Sequence, residues 1–440
     1  MRNNEKTNSK TTTMNMWGKN KKEDNNIKNF TVGEDRHYDL YLAEFDCEAS
    51  IAHAKMLSKT GFLSTEEEKK IIEILQEIKK DAKAGNFTIE NDFEDIHSKI
   101  ESILIEKLGE TGKKIHTARS RNDQILTCLN LYFKSEIKSI KKLMIQFFDK
   151  LLVLAEKHQS DFMPGYTHLQ AAMPSSFGIW FSAYAETLID DLLLLDTAYK
   201  TADQSPLGSA AGFGTSFPID RNFTKDELNF KHLKVNSLAS QISRGKIEKS
   251  ISFFLSSFGS TISKFCMDIC LYMGQDFSFI SFPDDLTTGS SIMPHKKNPD
   301  LFEIIRAKGM KLQNVNTEIS LISSSLPSGY HRDFQIIKKT IIDSIEETKE
   351  ILDIICSVIP EIKITKNLEL NDKYKYTFSV NNLNEKVQDG NSFRDAYIDL
   401  KKEINEGNFK PLKNAEYSHI GSIGNLSIDK IKEKMKSLID

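Results

Sequence analysis

Apolar residues recur along most of this chain at steps of three and four, the period of an amphipathic helix. Ile137, Ile140, Met144, Phe147, Leu151 and Leu154 alternate those steps. They predict a heptad seam, the contact stripe of a helix in a long bundle. The run 251–273 is apolar on most faces, with Phe253, Phe254, Leu255, Phe258, Ile262, Phe265, Ile269 and Leu271. A helix apolar nearly all round belongs at the centre of a large assembly. Two more long helices are expected over 177–202 and 301–323. Nearer the N-terminus, Ser64 and Glu67 have capping-box spacing, Glu66 and Glu68 suit a helix start, and Gly85 suits its stop. Between these signals Ile71, Ile72, Leu75, Ile78 and Ala82 form one apolar stripe.

Alternating β-branched runs bounded by turn signals are scarce, so the expected class is all-α. Glycines and prolines gather in short connections at 163–165, 206–214, 289–299 and 326–329. Beyond Pro360 the seam ends and shorter, more polar helices follow. The expected organisation is a polar, disordered tail over 1–15 and a small helical N-terminal domain over 16–115. A long central helical bundle over 116–359 and a small helical C-terminal domain over 360–440 complete it. A chain of 440 residues is long enough for two or three cores.

Composition narrows the function classes. The chain is 39% hydrophobic and 28% charged, the balance of a globular protein in water. A net charge of −3 gives no global field toward nucleic acid or an anionic membrane, so any anionic ligand must be held by local charges. No apolar run reaches membrane length, and no N-terminal segment has a signal peptide's apolar core. The five cysteines are an odd number without metal-ligand spacing, which fits a reducing, cytoplasmic setting. Cys266 and Cys270, one helical turn apart in an apolar run, read as buried thiols.

Ionisable residues concentrate beside the long helices. Residues 116–124 read His-Thr-Ala-Arg-Ser-Arg-Asn-Asp-Gln. Two arginines and an amide at a helix start suit a carboxylate, because Arg offers a bidentate fork and the helix amides add partial positive charge. The plainer reading is a cap with solvated charges. Residues 163–170, Met-Pro-Gly-Tyr-Thr-His-Leu-Gln, place His168 where acid–base work is possible; a lone loop histidine is more often structural. Residues 289–300, Gly-Ser-Ser-Ile-Met-Pro-His-Lys-Lys-Asn-Pro-Asp, suit a mobile loop whose amides bind an anion, or a simple linker. Residues 326–338 carry Tyr330, Gln335 and Lys338 at a helix entry, each with an ordinary reading as a cap or a solvated face.

Taken together, the four segments point further. The Gly-Ser-Ser, Met-Pro, Lys, Asn-Pro run at 289–299 resembles the signature loop of the fumarase/aspartase superfamily, whose members eliminate fumarate from a succinyl group. Thr-Ala-Arg-Ser-Arg-Asn-Asp-Gln and Pro-Gly-Tyr-Thr-His-Leu-Gln resemble the argininosuccinate lyase family within it, as does the Lys296-Lys297-Asn298 run. The resemblance extends from about Trp17 to the C-terminus. It implies an all-α homotetramer with active sites shared among three subunits, a small-molecule substrate, and no metal or organic cofactor. By position it implies Ser290 as catalytic base, His168 in acid–base work, and Glu303 as the carboxylate paired with that histidine. Lys296 and Asn298 match carboxylate-binding and intermediate-stabilising positions. Arg121, Asn122, Thr167, Tyr330, Gln335 and Lys338 match substrate contacts.

Three departures stand out, one of them the tail before Met16, which is an extra relative to the family. The family's Phe-Asn-x-Ser substrate run is replaced by Phe30-Thr31-Val32-Gly33-Glu34-Asp35-Arg36, which leaves its serine contact unplaced. Arg244 lacks the acidic residues that commonly flank the family's arginine. The competing readings are another fumarate-releasing lyase such as adenylosuccinate lyase, and a structural descendant of the kind found in lens crystallins. Retention of His168, Ser290 and Lys296 argues against the second.

Overall fold

The structure is a computed structural model that describes residues 25–439. The polar run 1–15 lies outside the described residues. Helices dominate, with strands limited to short pairs, as the three- and four-residue periodicity requires. The chain forms two compact units, each drawn from three separate stretches. One comprises the residues up to Phe133 together with Ala202–Arg244 and Leu326–Lys339. The other comprises Lys134–Thr201, Gly245–Ser325 and the chain from Thr340 onward. No helix among the described residues is long and apolar enough to cross a membrane.

In the first unit, helices Ala43–Lys59, Thr65–Lys83 and Ile96–Leu108 enclose a core that includes Cys47, Leu57, Ile71, Leu75 and Leu104. The capping box forms as its spacing predicts. Glu67 N–H donates to Ser64 Oγ at 3.2 Å, and Ser64 N–H donates back to Glu67 Oε2 at 2.9 Å. These bonds satisfy two amides that have no partner inside the helix. At the far end Gly85 takes φ +72°, a conformation that stops the helix. Asp95 caps the Ile96–Leu108 helix by accepting from Ser98 N–H at 2.7 Å. That bond sets the positions of Asp95 and His97 for the site described below.

The second unit is the bundle. The predicted seam of the Arg121–Lys157 helix is buried from Ile137 through Leu154. Phe177–Ala202 forms the helix expected there, and the apolar run lies in a helix spanning Lys246–Met273. The segment read as one helix over 301–323 is two, Asp300–Leu312 and Val315–Ser324. At the break Gln313 and Asn314 bond to carbonyls three residues back, which tightens the turn and ends the α-helical ladder.

Helices Lys246–Met273 and Asp300–Leu312 meet at Gly259 and Gly309. A Cβ on Gly259 would sit 2.4 Å from the Gly309 carbonyl oxygen, so only hydrogen permits this approach. Gly259→Ala is therefore expected to destabilise the bundle by about 1–3 kcal/mol, the usual cost of overpacking. The check is the urea midpoint at constant slope; an unchanged midpoint would show that the helices can separate without penalty.

One element runs against the loop reading. Residues 163–170 belong to a β-hairpin in which Phe162–Thr167 pairs antiparallel with Gln170–Ser176. Pro164 and Pro174 obscure it in the sequence, because proline removes a ladder donor and is tolerated only at sheet edges. A two-stranded ribbon has nothing but edges, so both prolines fit. The C-terminal helices Ser379–Gln388 and Phe393–Asn405 close a separate small core around Leu383, Ala396, Leu400 and Phe409.

Candidate active site

Five of the expected substrate contacts line one cavity of about 210 Å³ in the first unit. Arg121 and Asn122 come from the start of the Arg121–Lys157 helix, and Tyr330, Gln335 and Lys338 from the connection and helix entry at 330–338. Backbone anchoring explains their placement. The buried Asp123 carboxylate accepts from Ser120 N–H at 2.9 Å and from Gly208 and Ala210 N–H at 3.0 and 2.9 Å. This pins the helix start against the 206–214 connection. Arg119, the other arginine of the motif, is buried and donates to Ser50 Oγ at 2.8 Å, so it is a structural group.

The cavity wall also holds residues that sequence reasoning missed: Asp35, Asp39, Glu94, Asp95, His97 and Arg332. Arg121 pairs with Asp95 at 3.1 Å and donates to Ser98 Oγ at 2.9 Å. Arg332 pairs with Glu94 at 2.7 Å, and its Nε donates to Gln335 Oε1 at 3.0 Å. Gln335 in turn donates to the Thr31 and Val32 carbonyls, both at 2.9 Å. Lys338 is nearly fully buried between Asp35 at 2.5 Å and Asp39 at 2.6 Å. Burial works against its charge, but the two carboxylates prevail and raise its pKa. Arg332 could have been noticed, since it stands two residues after Tyr330. The acidic residues carried no motif of their own.

Behind the wall lies a buried polar cluster. Asp46 Oδ1 accepts from the Gln124 amide at 2.7 Å and from the Cys128 thiol at 3.5 Å, while His97 Nδ1 lies 3.2 Å from Asp46 Oδ2. Burial opposes a charged His97, yet Asp46, Asp95 and Asp39 raise its pKa. Among the described residues, Asp46, His97 and Cys128 form a group whose types could hold a metal ion. Their separation in sequence hides this from any spacing rule. All five cysteines are unbridged; Cys266 is buried as expected and Cys270 is only half-buried.

In the second unit, His168 and Leu169 are the two turn residues of the hairpin, with φ of +53° and +56°. Such a turn normally selects Asn-Gly, because both central residues must be left-handed. Holding His and Leu there costs energy and delivers an exposed imidazole at the tip of a rigid ribbon, with Thr167 beside it.

The loop 290–296 has a closed base. Thr288–Gly289 pairs antiparallel with Lys297–Asn298, Lys297 pairs with Asp284, and Thr288 donates to Asp300. Inside the loop, Ser290 Oγ accepts from Met293 N–H at 3.1 Å and Ile292 N–H at 3.4 Å. Two amide donors aimed at a hydroxyl oxygen favour its anionic form. Lys296 follows, exposed, three residues after Met293, whose carbonyl accepts its N–H at 3.0 Å. Glu303 lies in the first turn of the Asp300–Leu312 helix, half-exposed, 3.7 Å from Arg306. Among the described residues His168 makes no hydrogen bond with Glu303 within one chain.

Known proteins resemble this chain in sequence and in fold. The lyase family matches residues 10–313. The argininosuccinate lyase of Parabacteroides distasonis is 46% identical over 424 residues, 96% of this chain and 95% of that protein. The argininosuccinate lyase of Thermotoga neapolitana is 41% identical over 382 residues, 87% of this chain and 96% of that protein. Among solved structures, EDDS lyase in complex with formate superposes with a TM-score of 0.73 at 20% identity, covering 93% of this chain and 90% of that one. Class II fumarase from Schistosoma mansoni superposes with a TM-score of 0.69 at 16% identity, covering 91% of each. The structural likeness establishes the fold, the all-α fumarase/aspartase architecture. The sequence likeness over nearly the whole chain goes further, and the chain belongs to the argininosuccinate lyases of the lyase family.

Proposed function

We propose that this protein splits argininosuccinate into arginine and fumarate by β-elimination, the last step of arginine biosynthesis. The observation that carries the reading is the Ser290 loop, closed at its base, with two amides directed at the hydroxyl oxygen. The substrate joins a guanidinium nitrogen to the α-carbon of succinate. Breaking that C–N bond requires loss of a proton from the neighbouring carbon, beside a carboxylate that is already negative. Removing it builds a second negative charge on that carboxylate. The task is therefore mainly electrostatic.

In this reading Ser290 takes the proton as its alkoxide, favoured by the Met293 and Ile292 amides and by exclusion of water when the loop covers the substrate. Lys296 and Asn298 stabilise the dianionic carboxylate. The C–N bond electrons leave on the guanidinium nitrogen, which His168 protonates, so one proton is taken and one returned. Glu303 orients the histidine. Arg121, Asn122, Thr167, Tyr330, Gln335 and Lys338 hold the substrate. A cytoplasmic setting fits the five unbridged cysteines.

We infer further that the enzyme is a homotetramer with sites completed between copies. In one chain Glu303 lies 3.7 Å from Arg306, which is compatible with an orienting pair drawn from different copies. The second unit also exposes Leu193, Phe253, Met267, Ile304, Met310 and Leu321 on its helices. Large apolar side chains on bundle helices are what a subunit interface covers. The test is fumarate release from purified protein, with light scattering on the same sample. Argininosuccinate but not adenylosuccinate should yield fumarate, from a species four times the 50.1 kDa chain mass. Turnover of adenylosuccinate alone would overturn the substrate, and an active, stable monomer would overturn the shared site.

A further inference from the structure

The ribbon that carries His168 is gripped at its root by two residues that the mechanism does not use, His158 and Asp161. They lie just past the end of the Arg121–Lys157 helix, immediately before the first strand. His158 is 6% exposed, and its Nδ1 donates to Asp161 Oδ2 at 2.7 Å. The other carboxylate oxygen of Asp161 accepts from Lys366 Nζ at 2.5 Å. Burial works against the Asp161 charge, but these two donors prevail and hold its carboxyl below the usual range. The same two residues hold the ribbon's return through the backbone. Phe177 N–H donates to the Asp161 carbonyl and Gly178 N–H to the His158 carbonyl, each at 3.0 Å. Only glycine allows that approach, because a Cβ on Gly178 would sit 2.6 Å from Gln159 Cα. The first strand leaves this point at Phe162, and the second comes back to it at Ser176. The bond between the two side chains therefore fixes the direction in which both strands leave the bundle.

Elsewhere the ribbon rests on aromatic rings. Phe162 stacks on Phe378 with centroids 5.5 Å apart, and Tyr166 packs on Phe277 at 5.4 Å. Apolar contact has no preferred direction and lets a ribbon slide or tilt. The hydrogen bonds of the root weaken steeply with angle and resist tilting. The strand Phe162–Thr167 has six residues, which at the usual rise of a strand span about 20 Å. On an arm of that length a tilt of about 3° at the root moves the tip by about 1 Å. A displacement of about 1 Å between reacting groups can cost roughly 10²-fold in rate. We propose that the His158–Asp161 pair is a positioning pair for the elimination: it sets the place of the His168 imidazole through the ribbon, without itself touching the substrate. The proposal rests on the reading of His168 as the general acid.

The root can be altered without emptying the core. His158→Leu removes the donor at similar bulk, and Asp161 keeps its bond to Lys366. His158→Asn places an amide N–H where Nδ1 stood, so it keeps the donor. Asp161→Asn is the milder probe, because that side chain is 22% exposed and the change keeps its size while removing its charge.

The experiment measures steady-state fumarate release from argininosuccinate by the full chain, with each root variant made in the wild-type and in the His168→Asn background. In the wild-type background His158→Leu should lower kcat about 10- to 100-fold. KM should change less, because the imidazole acts in the transition state. His158→Asn should recover most of the loss. In the His168→Asn background His158→Leu should cost little more, since the group that it positions is gone. A pair that only stabilises the fold would lower turnover by the same factor in both backgrounds, and that result overturns the proposal. Wild-type kcat in His158→Leu overturns it as well. If circular dichroism shows that His158→Leu does not fold, Asp161→Asn gives the same comparison, with a smaller factor and the same dependence on His168. Wild-type turnover in His168→Asn itself, or no fumarate from the wild-type protein, overturns instead the functional reading beneath the proposal.

Discussion

Ser290→Ala is expected to lower turnover by about 10³-fold or more while the helical content and the oligomeric state stay as in wild type. The hydroxyl is half-buried in a loop whose base is held by the Thr288–Gly289 and Lys297–Asn298 pairing, so its loss removes no core contact. What disappears is an oxygen on which two amides converge, at 3.1 and 3.4 Å. Those donors stabilise negative charge on Ser290 and have no equivalent target on alanine. A methyl group cannot accept the substrate's proton, so the loss should fall on kcat more than on KM. Single-turnover fumarate release, with circular dichroism as the folding control, measures it. Retention of more than a tenth of wild-type turnover would remove Ser290 as the base. Ser291→Ala should be milder, because Ser291 is exposed and its hydroxyl packs into no core.

The second large effect belongs to His168→Asn. A substitution at φ +53° usually confounds chemistry with strain, since most side chains resist the left-handed region. Asparagine is the exception among large polar residues, and it is also favoured in this class of two-residue hairpin turn. The ribbon should therefore hold its shape while the imidazole is lost. Turnover is expected to fall about 10²- to 10⁴-fold, the range for a missing general acid, and one limb of the pH–rate profile should flatten. Glu303→Gln should change the profile in the same sense but less, because in the proposed mechanism it orients the histidine and does not itself transfer the proton. A wild-type pH profile in the His168→Asn enzyme would take the histidine out of the mechanism. Thermal stability equal to or above wild type in the same variant would show that the turn carried strain on behalf of function.

What the sequence determined by itself is local. The Ser64–Glu67 capping box, the stop at Gly85, the seam from Ile137 to Leu154 and the 177–202 helix all rest on interactions between residues three or four apart. Such interactions can be read from spacing because a helix makes its hydrogen bonds within one turn. The four polar segments were legible for a related reason: each is a contiguous run whose residue types resemble a known family. The hairpin was missed because its pairing depends on cross-strand geometry that its two prolines disguise.

Tertiary structure alone decided the rest. Lys338 reads as a free cation along the chain, but the fold buries it against Asp39, 299 residues away, and against Asp35. Gln335 reads as an available amide, yet it holds carbonyls at Thr31 and Val32, over 304 and 303 residues of chain. Asp46, His97 and Cys128 share no motif and meet only in the core. Gly259 and Gly309 matter only because two helices approach there closely enough to exclude a Cβ. Each case depends on contact between residues distant in sequence. The energy of a charge or a close approach is set by its surroundings, through desolvation, counter-charge and steric exclusion, and those surroundings exist only after the chain has folded.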